Sequence, residues 1–323
     1  MNKIHLQIIF TLLVLGACSS TNEEKDNHQK LNKEKITAMV AYIIPKECGK
    51  IDLKGFNSDS LFINYANYLN GLDCHKPMSI GLAKKELSLI ITKCDTIKAD
   101  SLFFIFNKYY DLVTDSLNSV LEHDTTDYTP FVTISRQKAP EKRAKTYYNE
   151  LRRNGFNFNY PEGIIEIEQD RDFIKREFYH ILSHRMIEYL DQVNYENKNW
   201  FENDASILLT EKDFLERLLW WEKFNNTNPE FLFSKEGKNN ERYYLYFLLN
   251  GMDNTYPFMD EGKLVEYFKN LYELADNYPV ETECIKVIRK QYEMIKQSGM
   301  KDSEERQDFL KELQRENKIY SFD

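Results

Sequence analysis

Apolar side chains recur every three or four residues along most of this sequence, and that spacing is its strongest structural constraint. From Lys98 to Glu122, the residues Leu102, Phe103, Phe106, Tyr110, Val113, Leu117 and Leu121 fall on one side of a helix. The same rhythm predicts helices over 33–44, 58–70, 79–93 and 140–153. It predicts more over 171–190, 211–225, 238–250, 262–277, 280–297 and 303–316. Pro45 stops the first of these, and Gly71 ends the second after a cap at Asn57 or Ser58. Thr210 and Asp213 make a capping-box start with Asp in the usual Glu position.

Two segments break the rhythm. Residues 124–140 carry turn chemistry, with room for a short strand at Phe131-Val132-Thr133-Ile134. Then Phe156, Phe158 and Tyr160 alternate with Asn157 and Asn159. Beyond Pro161-Glu162-Gly163, Ile165 and Ile167 alternate with Glu166 and Glu168. Period two on both sides of a turn predicts a β-hairpin with one buried face. A lone hairpin is marginal in water, so its aromatic side must lie on neighbouring helices. The expected fold is mainly α, a helical bundle or irregular α-solenoid-like array with one small β-hairpin. An N-terminal helical region spans 34–155, and the hairpin plus a C-terminal helical region spans 156–323, the two being separate or continuous. The junctions ending at Asn228-Pro229 and Tyr278-Pro279 resemble helical repeats of the tetratricopeptide kind. Their spacing exceeds the ~34-residue unit of that family.

The N-terminus has a different logic. One cation, Lys3, precedes the apolar run Leu6 to Leu15, and Leu15-Gly16-Ala17-Cys18 follows. The run is too short for a bilayer core, which needs roughly 20 apolar residues. The pattern resembles the signal peptide and lipobox of bacterial outer-membrane lipoproteins. The resemblance implies cleavage after residue 17, acylation of Cys18, and a membrane contact through that lipid anchor. Two or more acyl chains hold a protein stably, where one does so marginally. Ser19 rather than Asp after Cys18 implies the outer membrane. The polar segment 18–33 reads as a disordered tether. It also resembles the export tag of surface-exposed lipoproteins, which leaves the periplasmic and external faces both open.

The net charge of −9 argues against non-specific nucleic-acid binding. Beyond Cys18 stand Cys48, Cys74, Cys94 and Cys284, an even set that suits an oxidising compartment and allows three pairings. Cys48 and Cys74 lie in turn-like surroundings and the other two on helical patterns, which favours a Cys48–Cys74 disulfide. No Cys-x-x-Cys is present.

Candidate chemistry is sparse. Glu177, His180, His184 and Glu188 would form one stripe on a continuous helix, with two His at a zinc-ligand spacing. The Glu of His-Glu-x-x-His is absent, and the stripe lies opposite the apolar arc, so it reads as a solvated face. Arg136, Lys138, Lys142, Arg143, Lys145, Arg152 and Arg153 form a basic island, also read as solvated. Trp220 and Trp221, with Trp200 nearby, could stack on sugars, but Phe214, Leu215, Leu218 and Trp221 fall at core spacing. Glu166 and Glu168 share the outer hairpin face, where a glycosidase would need carboxylates converging in a cleft. With 11 Gly and no phosphate-binding or dinucleotide motif, no cofactor, catalytic residue or metal ligand is expected. The leading expectation is a non-enzymatic envelope lipoprotein that binds a protein or peptide and no nucleic acid. A glycan-binding accessory lipoprotein and a hydrolase with an unrecognised site are the alternatives.

Overall fold

The long apolar stripe around Phe106 becomes a helix on which its N-terminal neighbours and the hairpin pack. A computed structural model describes residues 48–51, 59–92, 94–132, 139–259 and 262–322. Helix α1 is Ser60–Asn70, α2 is Met78–Ile91 and α3 is Thr96–Leu121. Asp59 caps α1 by accepting from the Leu61 amide, so the start falls just past the expected Asn57 or Ser58. Asp95 caps α3 in the same way through Lys98. Both α1 and α2 pack on α3. α3 buries Leu102, Phe103, Phe106, Tyr110, Val113 and Leu117 against them and against the elements that follow. The helix expected over 33–44, Cys18 and the tether lie outside the described residues.

After a 3-10 turn at Thr129–Phe131 comes α4, Lys142–Arg153, and of the optional strand over 131–134 Thr133 and Ile134 lie outside the described residues. Strands β1 (Phe156–Asn159) and β2 (Glu166–Gln169) pair antiparallel, with Phe158 opposite Ile167. Their buried face is Phe156, Phe158 and Ile167, and Phe156 meets Tyr110 edge-on at 5.1 Å. The Asn118 side chain of α3 fixes the hairpin. Its Nδ2 donates to the Ile167 carbonyl at 2.8 Å, and its Oδ1 accepts from the Ile167 amide at 2.7 Å. One amide side chain thus satisfies a strand edge as a neighbouring strand would. The core runs without a break across residue 155.

One expected helix, 171–190, is two. α5 (Arg171–Phe178) gives way to a 3-10 turn at Tyr179–Ile181, and α6 restarts at His184 and runs to Lys198. The cause is Asp100, a buried carboxylate on α3. It accepts from the Ser183 amide at 2.9 Å and the Ser183 hydroxyl at 2.5 Å. Ser183 in turn caps α6 by accepting from the Met186 amide. Anchoring one buried carboxylate this way costs the chain a turn of helix.

A second, smaller sheet joins β3 (Glu202–Asn203) to β4 (Ser206–Ile207). Asp204 and Ala205 both have positive φ, and Asn254 donates to both their carbonyls. The remaining helices are α7 (Glu211–Thr227), α8 (Ser234–Asn250), α9 (Glu266–Asp276), α10 (Glu283–Gln297) and α11 (Glu304–Arg315). α7 packs on α8 and α9, α9 on α10, and α10 on α11, with further contacts from α10 to α7 and α8. The end of α8 is closed by side chains. The Leu249 carbonyl accepts from Gln291 Nε2 at 3.0 Å and from buried Arg306 at 2.7 Å. A cation at a helix C-terminus also suits the helix dipole. Among the described residues no helix is long and apolar enough to cross a membrane.

Candidate functional site

Cys48 and Cys74 are joined by a disulfide, which leaves no thiolate beside His75 to hold a metal. Cys94 and Cys284 are free thiols. The four-residue stripe does not exist as a stripe, because the break at 179–183 divides it. Glu177 pairs with Lys84 at 3.0 Å, while His180, His184 and Glu188 are exposed. Arg143 and Arg152 of the basic island meet Asp124 and Asp170 at 3.5 and 3.8 Å. Arg136 and Lys138 lie outside the described residues.

The tryptophans divide. Trp221 is fully buried and its Nε1 donates to Glu196 at 2.7 Å. Trp220 is half-buried and stacks on Phe224 at 5.0 Å. This pair fills the core and offers no platform. Trp200 is 39% exposed, with its Nε1 donating to the Asn197 carbonyl.

Trp200 lines a cleft of about 620 Å³. α3 contributes Asp111, Thr114 and Asp115, the hairpin Asn159, Ile167, Glu168 and Gln169, and the start of α5 Arg171. The end of α6 contributes Glu196 and Asn197, the turn after it Trp200, Phe201 and Glu202, and α8 Tyr243. Five carboxylates therefore surround one guanidinium. The outer hairpin face, read above as plain solvent surface, is one wall of this cleft through Glu168.

The carboxylates fall into two groups. Asp111 is largely enclosed, accepting from Gln169 Nε2 at 2.7 Å and from Asn107 Nδ2 at 3.4 Å. Glu196 accepts from Gln192 and Trp221 on one oxygen and from the Tyr244 hydroxyl on the other, each at 2.7 Å. Burial pushes both carboxyls above the usual carboxylate range, and their hydrogen bonds pull the other way. Asp115 and Glu168 stay open at the rim, where partial desolvation also raises them. The inner pair is held in place by donors, and the outer residues are free to meet a ligand. Two buried atoms of the lining, Gln169 Oε1 and Arg171 Nε, have no hydrogen-bond partner.

Asp111 and Asp115 sit four residues apart and so share a helix face, and of the residues singled out above Glu168 and Trp200 also line the cleft. No family model matches the chain, and neither a curated protein nor a solved structure matches it.

Proposed function

We propose that this protein is a non-enzymatic envelope lipoprotein, held at the outer membrane by acylated Cys18. In this reading its acidic cleft binds a basic side chain of a protein or peptide partner. The carrying observation is the lining: five carboxylates against one guanidinium, with the Trp200 indole and Tyr243 phenol beside them. A lysine or arginine side chain suits such a site twice. Its charge meets Asp115, Glu168 and Glu202, and its cation or stem lies on an aromatic face. The net charge of −9 would steer a basic partner toward the protein at low salt. The Cys48–Cys74 disulfide is in keeping with an oxidising envelope. A glycan ligand could also stack on Trp200, but the burial of Trp221 removes the wider platform that reading needs.

Calorimetric titration tests the cleft with a lysine-bearing peptide, its neutral glutamine counterpart and a neutral oligosaccharide. The lysine peptide should bind, weaken as salt rises, and lose about tenfold in affinity to Asp115→Asn with Glu168→Gln. Equal binding of the glutamine peptide, or binding of the oligosaccharide alone, would sink the reading. Metabolic labelling with a radioactive fatty acid tests the anchor. Label should enter the native chain and not Cys18→Ser.

A further inference from the structure

α8 has a cleft on one side and a second pocket further along. Tyr243 lines the acidic cleft, whereas Tyr246, Phe247 and Asn250 line a pocket of about 420 Å³. The step from Tyr243 to Tyr246, Phe247 and Asn250 is about 4.5–10 Å along the helix axis at 1.5 Å per residue. Aromatic rings bridge it without a gap. Tyr243 meets Tyr320 at 5.8 Å, Tyr320 meets Phe322 at 5.0 Å, and Phe322 meets Tyr246 at 5.1 Å. Phe322 is 61% exposed, and Tyr256 on the pocket's far side is 62% exposed. Single exposed aromatics are ordinary on a protein surface. A contiguous set that leads from a charged cleft into a pocket is the pattern of a binding surface.

The chemistry of the second pocket differs from that of the first. Its one guanidinium, Arg306, is only 2% exposed and already spent on Asp302 and the Leu249 carbonyl. Its other face lies over the Phe258 ring at 4.8 Å. The pocket therefore has an aromatic wall, a floor neutralised by the Arg306–Asp302 pair, and one further carboxylate, the exposed Asp253, so it suits an aromatic side chain that can donate, such as an indole.

We infer that the two pockets read one peptide, a basic side chain in the cleft and an aromatic side chain in the pocket beyond Phe322. This rests on the proposed binding of a basic side chain in the cleft. The spacing follows from the backbone. In a polyproline II conformation residues i and i+3 share a face and stand about 9.3 Å apart. In a β-strand the same-face pair i,i+2 stands about 6.7 Å apart and also falls in the range, whereas i,i+4 at about 13 Å exceeds it. The motif is a basic and an aromatic residue two or three positions apart on an extended backbone.

The test uses the full chain and six octapeptides: lysine alone, tryptophan alone, and lysine with tryptophan two or three positions away in either order. Affinities are measured by calorimetry for the native protein and for Tyr256→Ser with Phe322→Ala. Both replaced rings are largely exposed, and circular dichroism checks that the variant is folded. One of the paired peptides should bind at least tenfold tighter than lysine alone. The double variant should erase that gain and leave lysine-only binding unchanged. If lysine alone binds and tryptophan adds less than twofold in every paired peptide, the two-pocket inference fails and the cleft reading survives. A gain that persists in the double variant also overturns it, since the tryptophan then sits elsewhere. If no lysine peptide binds, both fail together.

Discussion

Replacing Asp111 by Asn should stabilise this protein at neutral pH and leave its stability in acid unchanged. Asp111 is an enclosed carboxylate whose pKa burial raises above the unfolded value of about 3.9. A raised carboxyl favours the folded state while it is protonated. That contribution is complete below the unfolded pKa and is lost as pH rises through the folded one. Beside it, Asn107 Oδ1 is buried with no hydrogen-bond partner, while Asn107 Nδ2 donates to Asp111 at 3.4 Å. An Asn at 111 keeps an oxygen toward Gln169 and turns an amide toward Asn107. If the Asn107 amide flips to accept from that amide, its own NH2 takes the unpaired place, so no orphan is removed. The gain is the charge taken out of a desolvated site, about 1–3 kcal/mol. Against this stands the weakening of a charge-assisted bond from Gln169 by roughly 1 kcal/mol. Loss of the attraction to Arg171 adds to that cost. The net expectation is a gain of about 1 kcal/mol at neutral pH. That is a rise of about 2–4 °C in Tm, taking the scaling for domains of 150–250 residues. In acid the native side chain is protonated and can donate the same bond, so the gain should vanish. Urea melts of both proteins near pH 3.5 and pH 7.5 measure this directly. A gain of equal size at both pH values, or a loss at pH 7.5, refutes the reasoning. The same variant should bind basic peptides less tightly, since it removes charge from the cleft.

Three further outcomes follow from the packing. Glu222 is 2% exposed and caps α10 by accepting from the Thr282 hydroxyl at 2.5 Å and the Cys284 amide at 3.0 Å. Glu222→Ala should cost about 2–4 kcal/mol in a denaturant melt, and a cost under 0.5 kcal/mol would disprove the cap. Replacing both Cys48 and Cys74 by Ser opens a loop of sequence separation 26. It should lower unfolding free energy by about 3.5 kcal/mol, and an unchanged urea midpoint would count against that. Gly251 has φ +69, and a Cβ there would meet the Thr255 carbonyl oxygen at 2.4 Å. Gly251→Ala should lower stability by more than ~1 kcal/mol, visible as a fall in Tm.

Periodicity carried the helices because burial on one face is a local property of the sequence. Thr210 could be read as a cap for the same reason, being a side chain that bonds an amide three residues on. The break after Phe178 could not be read that way. Its cause, Asp100, lies 83 residues from Ser183 in the chain. The β3–β4 turn was equally silent. Asp204-Ala205 lacks the glycine that such a turn prefers, and Asn254, far along the chain, holds it. The cleft shows the same limit. Asp111 and Asp115 on one helix face look like an ordinary solvated pair. They become a site only when Gln169, Glu168 and Glu196 arrive from other segments. Among the tryptophans, helical spacing identified Trp221 as core. Trp200 sits outside any regular pattern, and its place in the cleft lining is set by tertiary structure alone.

The disulfide has a mechanical consequence. Cys48 opens the compact unit that runs to Asp323, and its covalent partner Cys74 rests against Ser116 of α3, sulfur to hydroxyl at 3.0 Å. α1 lies wholly within the loop that the bond closes. A pull applied from the N-terminal side therefore bypasses α1 and loads Cys74, next to the central helix. α1 is shielded from traction, and the load enters the fold at Cys74 beside α3 rather than peeling α1 from its end.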